Sequence, residues 1–122
     1  MIVLYDTLTG NVERFVKKLP CEAHRISDGL VVDEDFVFIT YTTGLGKIPD
    51  SSRYFLQSNN KHLIAVAVSG NKNFGTLFAA CADEISKIHN IPILLKFELS
   101  GKPSDIKSFM KGLNEIEAHR IK

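Results

Sequence analysis

The sequence predicts a doubly wound α/β domain, in which helices cover both faces of a parallel sheet. Three observations predict it. Short apolar runs, at Ile2–Tyr5, Phe36–Tyr41 and Leu63–Val68, are hydrophobic along their whole length rather than at alternate positions. Strands of that kind are buried on both faces. Between them lie stretches whose apolar residues recur at helical spacing, and strands alternating with helices imply a parallel sheet with right-handed crossovers. The 122 residues amount to one domain's worth, taken as 1–122, with no linker, repeat or low-complexity segment.

Ile2–Tyr5 stops at Asp6-Thr7 and reads as a buried strand. Val12, Phe15, Val16 and Leu19 follow at i, i+3, i+4 and i+7, one face of an amphipathic helix that Pro20 ends. Glu22–Ile26 is a mixed segment suited to an edge strand, and Ser27-Asp28-Gly29 is a turn. Phe36–Tyr41 runs into a loop, Thr42-Thr43-Gly44-Leu45-Gly46. Pro49-Asp50-Ser51 opens a helix, with Tyr54, Phe55 and Leu56 as its apolar mass. Leu63–Val68 is the strongest strand and ends at Ser69-Gly70-Asn71. The next helix is expected to set Phe78, Ala82, Ile85 and Ile88 or His89 on one face. Ile91–Phe97 forms the last strand, with Pro92 near its start, where a missing amide is tolerated. Pro103-Ser104-Asp105 opens a final helix whose inner face is Ile106, Phe109, Met110, Leu113 and Ile116.

Composition narrows the function. The chain is 44% hydrophobic and 24% charged, with a net charge of +1 and no block of like charge, so nucleic acid is not expected as a partner. Its longest apolar run is far too short to span a bilayer, and Met1 leads straight into a strand with no secretory leader, so a cytoplasmic protein is expected. Cys21 and Cys81 are far apart and form no C-x-x-C pair; both read as structural. His24, His62, His89 and His119 are scattered, which offers neither a metal site nor a catalytic triad.

In open α/β sheets ligands bind beyond the carboxyl ends of the strands, at the point where strand order reverses. Three loops leaving strands are rich in Gly, Thr, Ser and Asn. In Asp6-Thr7-Leu8-Thr9-Gly10-Asn11-Val12, hydroxyls, a glycine and a helix start could converge on a phosphate; the same residues also make an ordinary helix cap. The loop is not a Walker sequence, and Gly46-Lys47-Ile48 fails that pattern too. Thr42-Thr43-Gly44-Leu45-Gly46-Lys47-Ile48-Pro49 has two glycines that would let a flat ring lie on the backbone; otherwise it is a plain surface loop. In Ser69-Gly70-Asn71-Lys72-Asn73-Phe74-Gly75, Phe74 could cover a ring face or pack inward as the start of a helix. The set suits a cofactor cradle better than a hydrolytic site.

Thr7-Leu8-Thr9-Gly10-Asn11 resembles the phosphate loop of flavodoxins. Thr40–Gly46, Ser69–Gly75 and Lys96-Phe97-Glu98-Leu99-Ser100-Gly101 resemble segments of the NrdI family, in the right order over essentially the whole chain. The S-G-N-x-N-[FW]-G and K/R-F-E-L-x-G combination is highly specific. The resemblance implies a flavodoxin-like three-layer fold with five parallel strands in the order 2-1-3-4-5. It implies bound FMN, with Thr7, Leu8, Thr9, Gly10, Asn11 and Val12 at the phosphate. Thr42, Thr43, Gly44 and Gly46 would flank the isoalloxazine on one side. Ser69, Gly70, Asn71, Phe74 and Gly75 would do so on the other. Phe74 stands where some relatives have Trp, and the compact 42–48 loop is similar to the short-loop branch of the family. The implied partner is the small, dimanganese subunit of class Ib ribonucleotide reductase, with a separate reductant for the flavin. Reduced flavin would react with O2 to give a superoxide-type oxidant for the tyrosyl radical.

Ordinary electron-carrier flavodoxins are strongly acidic and usually stack the flavin on Trp or Tyr. This chain has no Trp and a net charge of +1. Fewer negative charges near the ring ease formation of an anionic reduced flavin. Lys47 and Lys72 are either local positive charges for that purpose or solvated surface lysines. The alternative function is a generic electron carrier between redox proteins. A response-regulator receiver would share the strand order, but it needs an acceptor Asp where Thr40-Tyr41-Thr42 stand.

Overall fold

A computed structural model describes residues 1–120. Five strands, β1 (Ile2–Tyr5), β2 (Ala23–Arg25), β3 (Phe36–Tyr41), β4 (Leu63–Gly70) and β5 (Ile93–Glu98), form one sheet in the order β2-β1-β3-β4-β5. Every neighbouring pair is parallel. Four α-helices cover it: α1 (Asn11–Lys17), α2 (Asp50–Asn59), α3 (Cys81–His89) and α4 (Pro103–Arg120). No helix of the described residues is long and apolar enough to cross a membrane.

Alternation along the central strands divides the core in two. Phe36, Phe38, Val66 and Val68 pack with Phe55, Leu56, Ala82 and Ile85 beneath α2 and α3. Val37, Ile39, Ala65 and Ala67 pack with Phe15, Phe97, Phe109 and Leu113 beneath α1 and α4. On the second face three large rings meet two alanines of β4. Phe15 stacks on Phe97 at 4.0 Å and meets Phe109 edge-on at 5.9 Å. Small residues opposite large ones let that layer close-pack.

The elements depart from expectation in four places. In α2 the buried stripe is Ser52, Phe55, Leu56 and Asn59, and Tyr54 is exposed. Polar residues hold two of the four inward positions. Ser52 is bonded to Thr40 and Asp6. Asn59 accepts from the Val32 amide and donates to the carbonyls of Leu30 and Phe55, so both are satisfied in the core. Second, the helix expected after residue 75 is split: a 3₁₀ run, Lys72–Leu77, is kinked at Gly75 (φ 58°), and α3 starts only at Cys81. Ala79, at φ 48°, turns the chain between them and leaves Phe78 outside the helix. Third, β4 runs on to Gly70, past its expected end at Val68, whereas α3 meets expectation by turning His89 rather than Ile88 partly inward. Fourth, β5 begins at Ile93 because Pro92 contributes only its carbonyl, which accepts from Val66.

Candidate functional site

The strand order reverses at β1. Its crossover to β2 runs one way and the chain then passes to β3 on the other side. The loops leaving β1 and β3 therefore diverge, and a crevice opens between them at the carboxyl edge. A cleft of about 190 Å3 lies there.

Three polar loops build it. From the first come Thr7, Leu8, Thr9, Asn11 and Val12; from the second Thr42, Thr43, Gly44 and Gly46; from the end of β4 and the third loop after it Ser69, Gly70, Asn71 and Phe74. Gly10 and Gly75 stand outside the cleft wall. Each instead makes a turn at positive φ, 91° and 58°, that β-carbon-bearing residues rarely adopt. Phe74 is half-exposed on the rim rather than packed inward.

In the first loop the Gly10 amide donates to Thr7 Oγ1 at 3.2 Å, which fixes a tight bend. The amides of Leu8, Thr9, Asn11 and Val12 find no acceptor among the described residues. Backbone amides left free on a concave loop are donors for an anion. The floor behind them is rigid. Asp6, at the end of β1, is buried and accepts from Ser51 Oγ at 2.5 Å and Ser52 Oγ at 2.7 Å.

The second loop is pinched by reciprocal bonds between Thr43 and Lys47, Thr43 N–H to Lys47 O at 3.0 Å and the reverse at 2.8 Å. Thr42 spends its hydroxyl on the Ser69 carbonyl at 2.9 Å, joining the ends of β3 and β4. In the third loop Asn71 Oδ1 caps the Asn73 amide, and the Lys72 amide donates to Glu98. The Lys72 ammonium lies 5.9 Å from the Phe78 ring centroid, while Lys47 borders a neighbouring hollow beside α2.

Sequence reasoning missed four wall residues: Tyr41, Leu77, Ala79 and Leu99. Leu99 sits at φ 54°, its amide bonded to the Gly70 carbonyl at 2.9 Å and its carbonyl accepting from Ser69 Oγ at 2.6 Å. Those two bonds hold an exposed leucine against the cleft. A signal for it was present: Leu99 follows β5, which pairs with β4 at Gly70–Glu98. The Tyr41 hydroxyl is pushed above its ordinary pKa by burial and then by the Asp6 charge. It stays protonated at neutral pH, beside Ser51 and Asp6.

The cleft thus has one end rich in free amides, at Leu8, Thr9, Asn11 and Val12, and another walled by backbone, Leu77, Phe74 and Leu99. That combination suits a phosphorylated planar ring. Residues 3–111 match the model of the family described as NrdI flavodoxin-like. The chain belongs to the NrdI flavodoxin-like family. It is 44% identical over 115 residues to protein NrdI of Bacillus licheniformis, covering 93% of this chain and 88% of that one. It is 38% identical to the SPbeta prophage-derived protein NrdI of Bacillus subtilis, covering 97% and 95%. Against protein NrdI of Macrococcus caseolyticus it is 37% identical, covering 100% and 95%. A short-chain flavodoxin associated with a non-canonical PDU bacterial microcompartment superimposes with a TM-score of 0.65 at 22% identity, over 95% of this chain and 99% of that one. That structure shares the fold. Membership of a flavodoxin-like family implies a flavin, and the cleft's donors fit one.

Cys81, beneath the cleft, is fully buried, its thiol within 3.5 Å of the Tyr41 carbonyl and 3.6 Å of Thr42 Oγ1. Burial pushes its pKa up to about 11. The raised value means that the unfolded thiol ionises first. Its contribution is therefore complete below pH ~9 and is lost as pH rises through about 11. Two units correspond to about 2–3 kcal/mol. Urea unfolding of wild type is expected to weaken between those pH values, and Cys81→Ala to weaken less.

Proposed function

We propose that this protein binds FMN in the cleft and, in the cytoplasm, supports a class Ib ribonucleotide reductase. The observation that carries the reading is the convergence of three strand-end loops on one cleft, with free amides at one end, in a chain of the NrdI family. Thr7, Leu8, Thr9, Asn11 and Val12 hold the phosphate through amides and hydroxyls, and Gly10 keeps the loop bent. Thr42, Thr43, Gly44 and Gly46 border the ring on one side. Ser69, Gly70, Asn71 and Phe74 border it on the other, with Gly75 supplying the turn that brings Phe74 to the rim. Bound and reduced, FMN supplies electrons to O2 for a superoxide-type oxidant, which the reductase's small subunit uses in building its dimanganese-tyrosyl radical.

The chain's own part is to orient the ring and limit access to it. Tyr41 adds to the wall where β3 leads into the second loop. Leu77, Leu99 and Phe74 exclude water from the ring's surroundings while leaving an edge open. Lys47 and Lys72 belong to the 42–48 and 69–75 loops, which a docked partner would cover. A separate reductant is required.

The test is an anaerobic dithionite titration of the purified protein, followed by visible absorbance. A yellow protein that passes to its fully reduced spectrum with little long-wavelength absorbance, then reoxidises quickly in air, is expected. A persistent blue species would favour the generic electron carrier. A colourless protein that takes up no added FMN would sink both.

A further inference from the structure

Arg14 lies midway along the short helix α1, where its last turn begins, and is absent from the cleft wall. Its guanidinium is nevertheless committed to the loop that the phosphate reading uses. Nε donates to Ser100 Oγ at 2.9 Å and Nη2 to Asn11 Oδ1 at 2.8 Å, while Ser100 Oγ donates to the same Asn11 oxygen at 2.8 Å. The remaining nitrogen, Nη1, lies against Gly10 so closely that a β-carbon there would meet it at 2.8 Å. Gly10 is thus required twice, for its φ of 91° and for the room it leaves the guanidinium. Nη1 has no acceptor among the described residues. A permanent positive charge, held by two bonds, is therefore backed onto a bend whose amides at 8, 9, 11 and 12 are free.

We infer that Arg14 is the positioning residue that makes this loop selective for the phosphorylated flavin. The inference rests on the FMN reading above and adds the element that reads charge. Arg14 acts through the loop: its two bonds fix Asn11 and Ser100, and its charge lies behind the amides that would meet the phosphate. Free amides and hydroxyls already favour an anion through partial charges, and a fixed guanidinium adds a full positive charge that favours the dianion further. The same side chain links the 7–12 loop to the 98–101 segment that carries Leu99. A purely mechanical role would follow from that link, and the two roles separate by ligand. Loss of a mechanical clip weakens every flavin. Loss of the charge weakens only the one that carries phosphate.

The experiment measures dissociation constants of FMN and riboflavin for wild type, Arg14→Gln and Arg14→Lys, by flavin fluorescence at low and high salt. Arg14 is exposed, so the fold is expected to persist, and a urea midpoint verifies it. The expected result for Arg14→Gln is FMN binding weakened about three- to tenfold at low salt, the range for a partly screened charge at this separation. Riboflavin binding stays within about twofold, and the salt dependence of FMN binding flattens. Arg14→Lys recovers part of the preference. Equal weakening of both flavins, or no change in either, overturns the inference and leaves the FMN site standing. Wild-type protein that binds neither flavin overturns the FMN reading itself, and this inference with it.

Discussion

Replacing Phe15 with alanine is expected to lower the unfolding free energy by about 3–5 kcal/mol, the range for removing a fully buried aromatic ring. Phe15 has no exposed surface, stacks on Phe97 and meets Phe109 edge-on. The hole left behind cannot close easily. The sheet face it shares is lined by β-branched and small side chains, Val3, Val37, Ile39, Ala65 and Ala67, that reach little way into a cavity. On another side stands Gly101, where a β-carbon would lie 2.6 Å from Phe15 Cδ1. No flexible side chain borders the ring there to fall into the space. Because Phe15 is the inward anchor of α1, the loss reaches the 7–12 loop at that helix's start. Urea unfolding should show a lower midpoint with an unchanged slope. A loss below about 1 kcal/mol would mean that Phe97 and Phe109 repack into the cavity.

How far the sequence disclosed this molecule depended on what shapes each part. β3 and β4 were readable because burial on both faces makes a strand apolar throughout, and Phe36–Tyr41 and Leu63–Val68 are apolar nearly without break. Such strands alternating with helices also pointed to the cleft, since a sheet of this topology has its crevice at the strand ends. The inward face of α2 was less readable. Its stripe includes Ser52 and Asn59, whose burial depends on partners at Asp6, Thr40, Leu30 and Val32. Such partners are distant in the chain and leave no periodic mark. The segment from Lys72 to Ala80 was hidden for another reason. Its kinks at Gly75 and Ala79 follow from where the chain must pass over Gly70, a tertiary demand that overrides helical propensity. Leu99 and Arg14 escaped notice likewise: one is held in the wall by bonds with Ser69 and Gly70, and the other is tied behind the 7–12 loop by a bond to Ser100, 86 positions away.

That passage over Gly70 leads to the second large effect, which joins stability to ligand binding. Gly70→Ala is expected to cost about 1–3 kcal/mol of stability, as overpacking in a rigid environment does. With FMN in the cleft as proposed, it should also weaken FMN binding at least about tenfold, or ~1.4 kcal/mol. The added carbon would lie 2.6 Å from the Ala79 nitrogen and 3.0 Å from its Cα. Both are backbone, so no rotamer change relieves the collision. Neither side can retreat freely. Gly70 is held in β4, paired with Glu98, and its carbonyl accepts from Leu99. Ala79 is fully buried at a positive φ, a conformation its surroundings already impose. Gly70 and Ala79 both line the cleft, so prying them apart displaces the wall that Leu99 and Leu77 complete. Gly44→Ala supplies the contrast. Gly44 also lines the cleft, but a β-carbon there meets nothing within 4 Å, and only its φ of 52° opposes the change. If close approach at Gly70 shapes the cleft, Gly70→Ala loses far more FMN affinity than Gly44→Ala for a comparable loss in urea midpoint. If the two variants lose affinity equally, backbone strain alone governs the site and the approach of Gly70 to Ala79 is incidental to it.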